Sequence, residues 1–148
     1  MEQQYLVRLA RSSDLSRILA IERAGFGEWA WDRNLFAEYT RTCGELFLVA
    51  EGGTKVMGYC IGRISRGAAS IESIAVAPAA RGKGAADALL RSLLRRLRPR
   101  GVKRVGLMVK AMNFRAQAFY KKYGFRHVRR IPQYYEDGAD ALLLHLDL

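Results

Sequence analysis

A short basic segment, Arg81-Gly82-Lys83-Gly84-Ala85-Ala86, lies between an apolar β-branched run and a helix-forming one. The run Ile71 to Val76 ends at Pro78, and Ala85 to Leu90 opens the helix. The first N–H groups of a helix lack internal acceptors, and the dipole there favours an anion. Glycine lets backbone approach a ligand closely. The N–H groups of Gly82 to Ala86, with the charges of Arg81 and Lys83, therefore suit a phosphate. The pattern Arg81-x-x-Gly84-x-Ala86 is weak alone and gains force from its place between strand and helix. No Gly-Lys-Ser/Thr closes it, and no G-x-G-x-x-G with a following ribose acid is present. The expected ligand is a pyrophosphate held without a metal.

The elements that must position this loop can be read from periodicity. Tyr5 to Leu9 reads as a strand. Ser12-Ser13-Asp14 offers caps for a helix with Leu15, Ile18, Leu19 and Ile21 on one face, up to Gly25. Phe26 to Trp31 is an aromatic loop, and Asp32 caps a second helix to about Arg41. Glu45 to Ala50 and Val56 to Ile64 form a hairpin about Gly52-Gly53. Ser70 to Val76 is a further strand. The helix from Gly84 to Arg98 carries Leu89, Leu90, Leu93, Leu94 and Leu97 as one stripe, and Pro99-Arg100-Gly101 stops it. Arg104 to Val109 is a strand. Asn113 caps a helix to Tyr123 with Ala116, Phe119 and Tyr120 on one side, closed by Gly124. Phe125 to Ile131 and Ala141 to Leu146 form a last strand pair. The order β-α-α-β-β-β-α-β-α-β-β describes an α/β (α+β) domain, a mixed and mostly antiparallel sheet flanked by helices.

Composition narrows the classes. The 148 residues suit one domain, 1–148, with a core of its own. Half the residues are apolar, which fits a globular chain. No apolar run reaches the roughly 18 residues of a membrane span, and Met1 to Gln4 does not resemble a leader, so no membrane partner and a cytoplasmic location are expected. Cys43 and Cys60 read as free buried thiols without metal-type spacing. The net charge of +11 is large for this length. It fits an anionic ligand or a solvated basic face, with Arg91, Arg95, Arg96 and Arg98 on the long helix. No nucleic-acid recognition motif is present, so no nucleic-acid partner is expected.

Two segments together resemble the GCN5-related N-acetyltransferases. Arg81 to Ala86 is similar to their acetyl-CoA loop, Arg/Gln-x-x-Gly-x-Gly/Ala. Asn113 to Phe125 is similar to their Asn-x-x-Ala-x-x-x-Tyr-x-x-x-Gly-Phe signature. The tail Arg129 to Ala141 resembles the Arg-x-Tyr-Tyr…Asp-Ala segment of the bacterial ribosomal-protein-alanine N-acetyltransferases and their protein N-terminal relatives. The aromatic stretch before Trp31-Asp32 and Phe36 resembles their Pro-Trp-Ser…Phe segment, without the proline.

The resemblance implies the GNAT fold and transfer of acetyl from acetyl-CoA to a primary amine, above all a protein or peptide N-terminus. It implies that the Ile74-Ala75-Val76 strand end offers a backbone N–H to the thioester carbonyl. Asn113, Ala116 and Phe119 join the cofactor contacts, and Tyr120 takes the position of the tyrosine that approaches the CoA sulfur. A phenol, with a reference pKa of about 10, can donate to a leaving thiolate. The relatives' base, a glutamate in Glu-Val-Arg, is replaced by Met108. Glu72 is the expected substitute, with a pKa raised by burial between Ile71 and Ile74. Phe26, Trp31, Tyr134 and Tyr135 are the acceptor-side candidates, Tyr134 and Tyr135 alternatively packing across strands. His127 and His145 read as structural. Other readings stay open: a small amine or lysine acceptor, or a domain that binds CoA without turnover. A monomer or homodimer fits equally.

Overall fold

The computed structural model describes residues 4–148, so the reading of Met1 to Gln3 lies outside the described residues. Its strands are β1 (Leu6–Leu9), β2 (Phe47–Gly52), β3 (Lys55–Ser65), β4 (Ala68–Val76), β5 (Arg104–Lys110), β6 (Arg126–Ile131) and β7 (Ala141–Asp147). Its helices are α1 (Leu15–Phe26), α2 (Arg33–Thr42), α3 (Ala85–Leu97) and α4 (Phe114–Lys122). The element order is the expected one. The strands form a seven-stranded sheet in the order β1-β2-β3-β4-β5-β7-β6. Every neighbouring pair is antiparallel except β4 and β5, which run parallel.

Both faces of the sheet are covered. On one, the leucine stripe of α3 and Tyr120 of α4 pack on Leu48, Cys60, Ile71, Val105, Leu107 and Val109. On the other, Leu15, Ile18 and Ile21 of α1 and Phe36 and Tyr39 of α2 pack on Phe47, Val49, Tyr59 and Ile61. β2 feeds both cores alternately, which is why Phe47 to Ala50 is an unbroken apolar run. Gly58 permits this closeness: a Cβ there would meet the Ala75 carbonyl oxygen at 3.0 Å and a Leu89 methyl at 3.2 Å.

Local chemistry moves some boundaries. Asp32 caps α2 as expected, its Oδ1 accepting from the Leu35 N–H at 3.0 Å. Asp14 precedes α1 but its side chain makes no cap bond to it; the carboxylate accepts instead from Arg8 and from the Arg11 N–H, closing the 3-10 turn Ser12–Asp14. Glu45 does not begin a strand; Gly44–Leu46 is a single 3-10 turn, and Glu45 pairs with Arg100. Cys60 is buried, but Cys43 is only half-buried, since it packs on the edge of the α1–α2 core as the C-cap of α2. Among the described residues, no helix is long and apolar enough to cross a membrane.

Two irregularities interrupt the middle of the sheet. The β4–β5 ladder holds only three register pairs, Ala68↔Arg104, Ala69↔Val105 and Ser70↔Gly106. Beyond them β4 continues to Val76 and β5 to Lys110 unpaired with each other, so the sheet opens between them. Within β4, Ser73 pairs with Ile61 and Ile71 with Gly62, leaving Glu72 as the extra residue of a bulge.

Candidate active site

The glycine loop closes the end of β4. Pro78–Ala80 makes one 3-10 turn, and α3 starts at Ala85 behind a left-handed Gly84. Gly82 and Gly84 have φ of 74° and 94°, which other residues rarely adopt. A Cβ on Gly82 would meet nothing within 4 Å, so this glycine answers to backbone conformation and not to crowding within the chain. Arg81 and Lys83 are exposed and join no ion pair among the described residues. Free helix-start N–H groups and two uncommitted cations fit a pyrophosphate.

The edge of β4 facing the opening supplies donors. The Ala77 N–H donates to the Met57 carbonyl at 2.7 Å, so Ala77 faces β3. Backbone groups alternate along a strand. Ile74 and Val76 therefore aim their N–H groups toward β5, where the ladder has stopped. An acyl oxygen lying in the opening would meet such a donor.

Tyr120 is part of the core on the α3–α4 face of the sheet. Its ring is 6% exposed, held by Phe119 at 5.3 Å and Phe125 at 5.5 Å between centroids. Its hydroxyl makes no hydrogen bond among the described residues, yet no buried side-chain oxygen lacks a partner. The hydroxyl therefore reaches open space. Burial pushes the phenol above its ordinary value, so it stays protonated and can donate. Asn113 caps α4, its Oδ1 accepting from the Ala116 N–H at 3.1 Å. Phe119 and Ala116 are half-buried beside it.

Glu72 lies on the opposite face. Ile71 and Ile74 do not enclose it: the bulge sends both into the α3-side core and leaves Glu72 among polar groups. Ser70 Oγ donates to Glu72 Oε1 at 2.8 Å, and Arg63 Nε lies 3.8 Å from the same oxygen. The Arg63 guanidinium in turn covers the Tyr39 ring at 5.6 Å. Met108 is on this face too, since Val105, Leu107 and Val109 alternate into the α3 core. Glu72 and Met108 thus lie on the two strands just beyond the last β4–β5 pair.

The acceptor-side candidates separate. Trp31 packs on Phe36 and Tyr39, at 5.7 and 5.6 Å. Tyr134 and Tyr135 form an edge-on pair at 5.0 Å in the β6–β7 connection. Tyr135 is tied to β5 by Lys110, whose Nζ lies 5.4 Å from its ring and 2.6 Å from Asp137. Burial lifts the Tyr135 phenol to about 12. Phe26 is 43% exposed at the end of α1 and makes no ring contact with Trp31. His145 faces Gly106 at the apex of the opening, where burial and then Arg104 and Arg126 lower its pKa. His127 is exposed on β6.

Sequence reasoning missed several neighbours. Ser70 and Ser73 carry no motif, and Arg63 is one cation of many. Asp87 had a signal, an acid in the first turn of α3. Its carboxylate accepts from the Tyr123 hydroxyl at 2.5 Å and Lys122 Nζ at 2.7 Å, joining α3 to α4. Glu22 had one as well, an acid inside the apolar stripe of α1.

The sheet opens between parallel β4 and β5, and a basic, glycine-containing loop at a helix start closes the end of β4. The chain matches the acetyltransferase (GNAT) family over residues 5–125 and belongs to it. It is 32% identical to an N-alpha-acetyltransferase of Sulfolobus acidocaldarius, over 95% of this chain and 90% of the relative. Its fold overlays Ard1 from Thermoplasma volcanium with a TM-score of 0.92 at 27% identity, covering 97% of each chain. It overlays the ribosomal-protein-S18-alanine N-acetyltransferase from Escherichia coli with a TM-score of 0.85 at 28% identity, covering 97% of this chain and 94% of that one. The protein is an N-acetyltransferase.

Proposed function

We propose that residues 1–148 form one N-acetyltransferase domain that acetylates the α-amine of a protein or peptide N-terminus, with acetyl-CoA as donor. The observation that carries this reading is the run of unpaired β4 edge donors leading directly into the Gly82 to Ala86 helix start. Acetyl-CoA would supply an activated thioester carbonyl. Arg81, Lys83 and the loop N–H groups grip its pyrophosphate. The Ile74 or Val76 N–H polarises the carbonyl oxygen. A neutral amine attacks the carbonyl carbon, the C–S bond breaks, and Tyr120 donates a hydrogen bond to the departing sulfur. Glu72 receives the amine proton directly or through a water it holds.

The α-amine assignment draws on the relatives named for that activity. The edge-on Tyr134–Tyr135 pair facing Lys110 suits a peptide backbone. The net charge of +11 disfavours a polycationic small amine. The test is a panel of free N-terminal peptides, N-terminally blocked lysine peptides and small amines, followed by thiol release from acetyl-CoA. Release with free N-terminal peptides alone, and mass spectra showing α-acetylation, is expected. Release with blocked lysine peptides or small amines instead would replace the acceptor class, and no release with tight CoA binding would leave a non-catalytic domain.

A further inference from the structure

The α1–β3 interface buries an acid that acetyl transfer does not use. Glu22 is 2% exposed and has no cation within ion-pair distance among the described residues. Burying a charge without a counter-charge costs several kcal/mol unless its hydrogen bonds are supplied. Both oxygens are supplied. Oε2 accepts the Trp31 backbone N–H at 2.8 Å, and Oε1 accepts the Tyr59 hydroxyl. Tyr59 is itself fully buried, and its oxygen lies 3.1 Å from Ser73 Oγ. Ser73 pairs with Ile61 and directly follows Glu72, the extra residue of the bulge.

This chain of contacts has two ends. One is Trp31, which stacks on Phe36 and Tyr39 on the acceptor side. The other is the β4 bulge that presents Glu72 to the opening. An apolar residue at Glu22 would pack as well and leave the two ends independent. We infer that Glu22 and Tyr59 are positioning residues that fasten the Trp31 loop to the β4 bulge, and so fix the acceptor side of the site. The acceptor part of this inference rests on the proposed acetylation of a peptide α-amine.

Three substitutions separate geometry from charge. Tyr59→Phe deletes one hydroxyl. Glu22→Leu deletes both acceptors. Glu22→Gln keeps the shape: its carbonyl can accept from Trp31, while its amide donates to the Tyr59 oxygen and the Tyr59 proton turns to Ser73. Tyr59→Phe and Glu22→Leu should raise the acceptor-peptide KM about tenfold, the loss expected for a hydrogen bond to a charged group. Acetyl-CoA affinity should not change. Glu22→Gln should restore KM and keep the wild-type pH–rate profile.

A second readout needs no acceptor. With Trp29→Phe as background, Trp31 is the remaining indole, and acrylamide should quench it more steeply in Tyr59→Phe and Glu22→Leu. Unchanged quenching and KM in Tyr59→Phe would overturn the inference. So would a Glu22→Gln enzyme as impaired as Glu22→Leu with a displaced pH profile, because charge and not position would then matter. If Glu22→Leu does not fold, Tyr59→Phe decides. If the wild type acetylates no peptide, the acceptor reading fails, while quenching still decides whether the fastening exists.

Discussion

In the proposed mechanism Tyr120 and Glu72 divide the chemistry, and each predicts a different failure. Tyr120 touches the departing sulfur in this reading and contributes little to holding the nucleotide end. Tyr120→Phe should lower kcat about ten- to a hundredfold, the worth of a hydrogen bond to a developing anion, with acetyl-CoA affinity kept. Equal losses in kcat and affinity would make it a binding residue instead. Because burial raises its pKa, the wild type should show no loss of this donor below about pH 10, the ordinary phenol value. Glu72→Gln should lower kcat about a hundredfold or more. A wild-type rate would remove Glu72 from the mechanism. The residue motifs made Tyr120 and Asn113 legible in the sequence. The surroundings of Glu72 were not, because flanking Ile71 and Ile74 imply an apolar enclosure only if the strand is regular. One extra residue at the bulge reverses that, and no local pattern announces it.

At the scale of elements, periodicity and caps carried most of the reading. The leucines of α3, the Asp32 and Asn113 caps and the β2–β3 hairpin all appear where their chemistry predicts. The opening between β4 and β5 did not, since ladder length depends on partners remote in sequence. The joining of α3 to α4 left only a local trace, the acid Asp87 in the first turn of α3, with nothing to name its partner. Asp87 in the first turn of α3 and Tyr123 at the end of α4 set the distance between the phosphate grip and Tyr120. Burial and then Asp87 push the Tyr123 phenol to about 12, so this donor persists through neutral pH. Tyr123→Phe should cost about 1 kcal/mol of stability. It should also lower kcat several-fold without a matching loss of CoA affinity, because the phosphate loop itself is untouched. Thermal unfolding and steady-state kinetics on one preparation test both; stability loss with wild-type kinetics would make the link structural only.

Over the whole molecule, basic charge and acid stability have separate origins. The excess of 25 basic over 14 acidic residues leaves Arg81 and Lys83 free for an anion while most carboxylates are paired. Added salt should therefore weaken CoA binding, since exposed charges are screened over about 10 Å at 0.1 M. Acid sensitivity instead traces to carboxylates held ionised, and Asp14 is the most enclosed of them. Arg8 donates to both its oxygens at 2.8 and 2.9 Å, and the Arg11 N–H adds a third bond at 2.8 Å. Arg8 is the main cause of its depressed pKa, against the opposing effect of burial. The unfolded chain binds this proton near the ordinary value of about 3.9, and the folded protein only at lower pH. The stabilisation is therefore complete above that value and is lost as pH falls through the folded one. Asp14→Asn should cost about 1–3 kcal/mol at pH 7, as for a hydrogen bond to a charged group. The gap to wild type should narrow in strongly acid solution, where wild-type Asp14 is also neutral. Urea unfolding at neutral and acid pH measures this difference directly, and an equal gap at both would assign the loss to packing around β1 and α1 rather than to charge.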